Sequence, residues 1–202
     1  MKIRPQALSE ENLDRAMRLF WEKGYYDTSI EDLMARTGLH RAAIYGTFGS
    51  KKGLFEALLT RYRAKVTAER LAPLQAPDAA LAELKQFFHQ FRDTQALPSA
   101  RLGCLMCLTA AEVSPHDPSI ARIVSSYLDD LRGLFRRAGL NARARGEVRP
   151  GIDVDQVADY LAGAVLGLMS LARAPAPRSA VAHYLDGVLQ FLNGLRAKGE
   201  GR

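Results

Sequence analysis

The chain reads as an all-α protein of about nine helices, on three observations. Apolar residues recur at three- and four-residue spacing through most of its length. Capping residues (Ser, Thr, Asp) and breakers (Gly, Pro) punctuate those stretches at helix-like intervals. No stretch alternates apolar and polar residues convincingly enough for a strand, and no internal repeat occurs. At 202 residues, 48% of them hydrophobic, the chain can bury one sizeable core or two small ones.

Taken in order, Ser9 caps a first helix with Glu10 and Glu11 at its positive end. Leu13, Ala16, Met17, Phe20 and Trp21 form its inner face, and Gly24 stops it. Thr28-Ser-Ile-Glu31 fits a Thr-x-x-Glu capping box opening a second helix. Ile30, Leu33 and Met34 point inward there, and Gly38 ends it. A third helix, Arg41 to Thr47, is only about two turns long. A fourth starts near Ser50 and runs towards Leu71. Pro73 and Pro77 break the chain, after which Asp78 caps a helix with Leu81, Leu84, Phe87, Phe88 and Phe91 inward. Another spans Gly103 to Ser114. Asp117-Pro118 opens a strongly periodic helix, and the stretch from Gly139 to Gly151 reads as a connection. Asp153, with Gln156 three residues on, caps the next helix. The last carries Val181, Tyr184, Leu185, Val188, Leu192 and Leu195. Helices this short are not stable alone, so the first four must pack on each other.

Charge is uneven. The chain carries a net +6, and residues 36–70 hold eight Lys/Arg against two Glu, an excess equal to that of the whole chain. A local basic excess suits a polyanionic partner, nucleic acid before membrane, although a solvated face gives the same pattern. Two cysteines make no disulfide scaffold, and the N-terminus is unlike a signal peptide. The charge-free run Leu161 to Ala172 is shorter than the ~20 apolar residues of a membrane span. The expectation is a soluble, cytoplasmic protein without membrane contact.

The second helix, the turn Gly38-Leu39-His40 and the third helix together make a helix-turn-helix, whose second helix enters the DNA major groove. A groove ~12 Å wide admits one helix, so a reader needs only about two exposed turns. Ile44 and Phe48 turn inward onto Phe20, Trp21 and Leu33, leaving His40, Arg41, Ala43, Tyr45, Gly46 and Thr47 outward. The segment TSIEDLMARTGLHRAAIYGTFGSKKGLFEALL, with FWEKGYYDTSI leading into it, resembles the DNA-binding segment of the tetracycline-repressor-like (TetR) family. The resemblance implies a helix-turn-helix domain at 1–50 and a helical effector-binding and dimerisation domain at 51–202. It implies base contacts from Arg41, Ala42 and Ala43 and contacts to phosphate or base edges from Tyr45 and Thr47. It also implies a phosphate grip by Lys51, and approach of Thr28 and the neighbouring Ser29 to the DNA backbone. His40 departs from a common Ser cap, and so either caps poorly or meets phosphate itself. Thr47 stands where His is common, and Gly46 where a bulkier residue is common, at a helix cost of ~1 kcal/mol relative to Ala. Arg41 is left to carry much of the direct readout, with guanine O6 and N7 as its partners.

The stretch VADYLAGAVLGLMSLA is apolar almost all round. The resemblance implies that it and the last helix pack against their twins in a homodimer. That places Val157, Leu161, Val165 and Leu168, with Tyr184, Val188, Phe191 and Leu192, at the interface. It also implies a pocket for a small-molecule effector between reader and interface. Phe87, Phe88, Phe91, Met106, Ile123 and Tyr127 can line it, with Cys104 and Cys107, or simply pack as core. GCLMCLTAAEVSPHDPSIARIV resembles a TetR subfamily with a Gly-Cys-Leu start to its sixth helix, in which that cysteine can sense oxidants or electrophiles. Cys104 and Cys107 thus fit three readings: buried hydrophobes, a thiol switch, or, without a further Cys pair or His cluster, a poor metal site.

No catalytic constellation, phosphate loop or His-Glu-x-x-His helix occurs, and neither metal nor cofactor is expected. The reading is therefore a regulator, most simply a repressor. It binds a near-palindromic double-stranded operator as a dimer and is released by a small or reactive effector. A thiol-based sensor acting through Cys104 is the alternative. An architectural DNA binder without effector and a helical enzyme with a DNA-binding head are the further ones.

Overall fold

A computed structural model describes residues 9–94 and 98–197, and over them the chain forms ten α-helices and one 3₁₀ turn. The helices are α1 (Glu10–Lys23), α2 (Ile30–Thr37), α3 (Arg41–Phe48), α4 (Lys51–Glu69), α5 (Ala72–Gln75), α6 (Leu81–Thr94), α7 (Leu105–Glu112), α8 (Pro118–Ala144), α9 (Val154–Arg173) and α10 (Arg178–Gly194). The 3₁₀ turn is Pro98–Leu102. The all-α expectation holds, with one helix more than foreseen: Pro73 is the second residue of the single turn of α5, a position that tolerates proline, and does not break the chain there. The chain divides into two units. One takes residues up to Lys65 with Leu105–Ser125, the other Val66–Cys104 with the residues from Ser126 on.

In the first unit, α1 begins as foreseen, with the Ser9 hydroxyl accepting from the Asn12 amide at 3.2 Å. Phe20, Leu33, Ile44, Phe55, Leu58 and Leu59 form a core closed to solvent. Phe20 and Phe55 meet at 4.9 Å between ring centres, and Trp21 stands edge-on to Tyr62 at 5.1 Å. The capping box of α2 lies one residue later than the sequence suggested. Ser29 caps the Asp32 amide at 3.0 Å, and the Asp32 carboxylate accepts from the Ser29 amide at 2.9 Å. Thr28 is fully buried and its hydroxyl donates to the Gly24 carbonyl at 2.6 Å, so it cannot serve as cap. Asp117 does cap α8, accepting from the amides of Ser119 and Ile120 at 2.9 and 3.2 Å.

In the second unit, α6 and α9 both pack on α10. Phe87, Phe88, Phe91 and Phe135 form one aromatic cluster with centres 5.1–6.4 Å apart. Asp78 does not cap α6: the helix starts at Leu81, the Glu83 carboxylate accepts from the Ala80 amide at 2.7 Å, and Asp78 lies 3.7 Å from Arg145. Gly139 is not a break either, because α8 runs through it to Ala144. A Cβ there would lie 2.7 Å from the Val154 side chain, so this glycine marks where the start of α9 presses on α8. Asp153 caps α9 as expected, accepting from the amides of Asp155 and Gln156. By length and composition alone α9 could cross a membrane, but Leu161 and Leu168 are fully buried in the chain's own core.

Candidate nucleic-acid interface

The joint between α2 and α3 is set by local chemistry. Gly38 takes a left-handed conformation (φ 73°), and its amide donates to the Met34 carbonyl at 2.8 Å. The Thr37 hydroxyl donates to the Leu33 carbonyl and accepts from the Leu39 amide. Leu39, 2% exposed, is thereby seated in the core, and α3 starts two residues later. Ile44 is fully buried and Phe48 half-buried, so α3 is held along one side. His40, Arg41, Ala42, Tyr45, Gly46 and Thr47 are exposed, with Ala43 half-buried between them. The outward face differs from the sequence reading at one place: Ala43, expected outward, is half-buried, and Ala42 is exposed instead. His40 is the N-terminal cap residue by position, yet its side chain makes no capping bond.

The next helix is fastened to the reader by Gly53, where a Cβ would lie 2.1 Å from the Phe48 carbonyl oxygen. Lys51 is half-buried, and its ammonium donates to the carbonyls of Tyr25 and Thr28, both at 2.9 Å, while lying 4.3 Å from the Tyr25 ring centre. Burial pushes its pKa down from the ordinary lysine value. Lys51 thus locks the turn between α1 and α2, a role without a sequence signal. Ser29 is exposed beside it, but Thr28 is enclosed and has no surface to offer DNA.

The basic window is largely neutralised by acids from elsewhere. Arg41 pairs with Glu31, Arg36 with Glu22, Lys52 with Asp117, Arg61 with Glu10 and Asp14, and Lys65 with Asp14. Two further groups had no sequence signal, because they lie more than sixty residues from their partners. The Glu112 carboxylate accepts from the Tyr26 amide at 2.9 Å, and a Cβ on Gly24 would lie 2.8 Å from it. The Ser119 hydroxyl donates to the Glu56 carboxylate at 2.6 Å.

The residues foreseen around an effector are divided between the units. Phe87, Phe88, Phe91, Cys104 and Tyr127 belong to the second, Met106, Cys107 and Ile123 to the first. The three phenylalanines are at most 5% exposed and pack on one another. Beside Phe91, the space between Arg70, Thr94 and Gly103 is about 10 Å³, less than a small molecule needs. A shallow cleft of about 720 Å³ lies at the start of α6, next to Lys85, Glu147 and Arg196. Cys104 is buried with its sulfur 4.0 Å from the Tyr127 hydroxyl, and Cys107 is half-buried. Among the described residues no three His, Cys, Asp or Glu gather into a metal set.

The interface residues also need correction. Val157, Leu161, Val165, Leu168, Val188 and Leu192 are buried inside their own chain. Tyr184 and Phe191 are half-buried. The exposed face of α9 and α10 is the adjoining one. It carries Tyr160, 46% exposed with its ring 4.3 Å from Phe191, together with Gly163 and Gly187. Tyr184 lies across Gly167 on this face.

Comparison with known proteins bears on the same two regions. The model of the N-terminal domain of bacterial regulatory proteins of the tetR family matches residues 13–58, and that of the tetracyclin repressor-like C-terminal domain matches residues 80–188. The HTH-type transcriptional repressor ComR of Escherichia coli (strain K12) is 31% identical over 162 residues, 80% of this chain and 77% of ComR. The HTH-type transcriptional regulator YezE of Bacillus subtilis (strain 168) is 29% identical over 182 residues, 90% of this chain and 94% of YezE. Among solved structures, a cysteine-substituted form of the regulator CifR complexed with a 26-base-pair operator duplex superposes with a TM-score of 0.80 at 25% identity. That likeness covers 93% of this chain and 98% of CifR.

Proposed function

The chain belongs to the TetR family of DNA-binding transcriptional regulators and is a repressor rather than an enzyme; from that premise we propose that it holds a near-palindromic operator as a homodimer and leaves it when a small effector binds. The carrying observation is α3: eight residues, pinned from below by Ile44 and exposed along the opposite side. A two-fold dimer presents two such helices to half-sites about one helical turn apart. The open α9–α10 face supports the dimer, since Gly163 and Gly187 allow a partner helix close approach beside Tyr160, Tyr184 and Phe191. The protein works where the operator is, in the cytoplasm.

Release follows from the grip of Glu112 and Asp117, which lie within the stretch matching the C-terminal domain model yet hold the turn after α1 and the start of α4. An effector that shifts α7 or the first turn of α8 changes how the reader is presented, a population shift between two states. The effector enters by opening the aromatic cluster of Phe87, Phe88 and Phe91. A reactive effector at Cys104 is the second reading. It is supported by the Tyr127 hydroxyl 4.0 Å from the sulfur, while Gly103 (φ 68°), where a Cβ would lie 2.6 Å from the Met169 carbonyl oxygen, is explained by packing. The Gly-Cys-Leu sequence accordingly marks a packed joint as well as a thiol.

The test is a footprint on a duplex selected by the protein from a random pool, with the mass of the complex measured in parallel. A protected palindrome holding two chains is expected. Uniform weak protection, or a single bound chain, would refute the reading.

A further inference from the structure

Gly46 sits inside α3, where glycine stabilises a helix less than alanine. Its backbone does not require glycine, because the positive-φ glycines near it are Gly38 and Gly49. Its surroundings do not require it either, since a Cβ there would meet no atom within 4 Å. Gly53 is the contrast, closed off by the Phe48 carbonyl. Steric freedom alone does not mark function, because Gly133 of α8 shares it. What distinguishes Gly46 is its place: exposed between Tyr45 and Thr47, about one turn after Ala42 and Ala43, on the face that the helix-turn-helix reading turns to DNA.

We propose that Gly46 is a specificity-determining residue of operator recognition. Its bare Cα lets α3 settle closer to the floor of the major groove, where a base pair is read by its fit to the helix backbone. The group that fills the space of the missing side chain is a thymine C5-methyl, the one apolar feature that projects into this groove. The inference rests on the helix-turn-helix reading above and adds to it a base preference at a position without a reading side chain.

The experiment uses a duplex selected by the parent protein from a random pool, a scrambled duplex, and versions of the selected one in which single thymines are replaced by deoxyuridine. Parent, Gly46→Ala and Gly133→Ala are compared. Gly46→Ala should lose at least tenfold in affinity for the selected duplex, keep its affinity for the scrambled one, and melt about 2–4 °C higher. One deoxyuridine position per half-site should weaken the parent and leave Gly46→Ala unaffected. Gly133→Ala should melt higher with parental affinity. Parental affinity of Gly46→Ala for the selected duplex, equal losses on both duplexes, or indifference of the parent to every deoxyuridine would overturn the proposal. A parent that selects no duplex would instead refute the helix-turn-helix reading itself.

Discussion

Lys51 stands where the family resemblance puts a phosphate contact, and the fold gives it a second duty. Its ammonium closes the turn between α1 and α2 by bonding two main-chain carbonyls, one of them on fully buried Thr28. Hydrogen bonds from charged donors contribute about 1.5–3 kcal/mol, and half-exposure reduces that. Lys51→Met should therefore cost about 1 kcal/mol of stability, seen as a melting point lower by a few degrees, with weaker binding to every DNA sequence. Unchanged melting would remove the structural duty and leave only phosphate. The same lysine shows a limit of sequence reading. A helix-opening lysine is visible in the chain, but its carbonyl partners, twenty-three and twenty-six residues earlier, are not.

Among elements, α1 and α2 carry side-chain caps from Ser9 and Ser29, and α3 carries none. The first amides of α3 are thus left for solvent or for a DNA phosphate, which a helix N-terminus favours. His40→Ser should supply the missing cap and stabilise α3 by about 1 kcal/mol. The check is amide exchange in α3 of the free protein, which should slow; equal exchange in both proteins would contradict the idea. Most elements were legible because their signals are local: periodic apolar faces, Ser9, Asp117, Asp153 and Gly38. Errors arose where a distant contact decided between two local options. Thr28 and Ser29 both suit a cap, and burial of Thr28 chose Ser29. Gly139 suits a break until Val154 presses on it. For α9 and α10, periodicity identified an apolar face but not whether the same chain or a second copy covers it.

For the whole molecule, the acidic groups matter as much as the basic ones. Arg61 and Lys65 hold the Asp14 carboxylate below its ordinary value. Lys23 and the Ser29 amide do so for Asp32, and Lys52 and Ser119 for Asp117. Each folded value lies below the unfolded one, so the stabilisation is complete above the ordinary aspartate value of 3.8 and is lost as pH falls below it. The first unit should melt at lower temperature as pH drops below about 4, and Asp14→Asn should flatten that dependence. An unaltered slope in Asp14→Asn would remove Asp14 as a contributor. The charge count of residues 36–70 anticipated a polyanion but not this pairing, because Glu10, Asp14, Glu22, Glu31 and Asp117 all lie outside that window.

The pairing also governs how such a molecule searches a chromosome. Most of its head's cations already have protein partners, so each phosphate must displace a carboxylate as well as small counterions. That exchange is required on any duplex, whereas only the operator returns groove contacts to α3. The molecule should therefore dwell briefly on arbitrary DNA and spend its bound time where the base sequence fits.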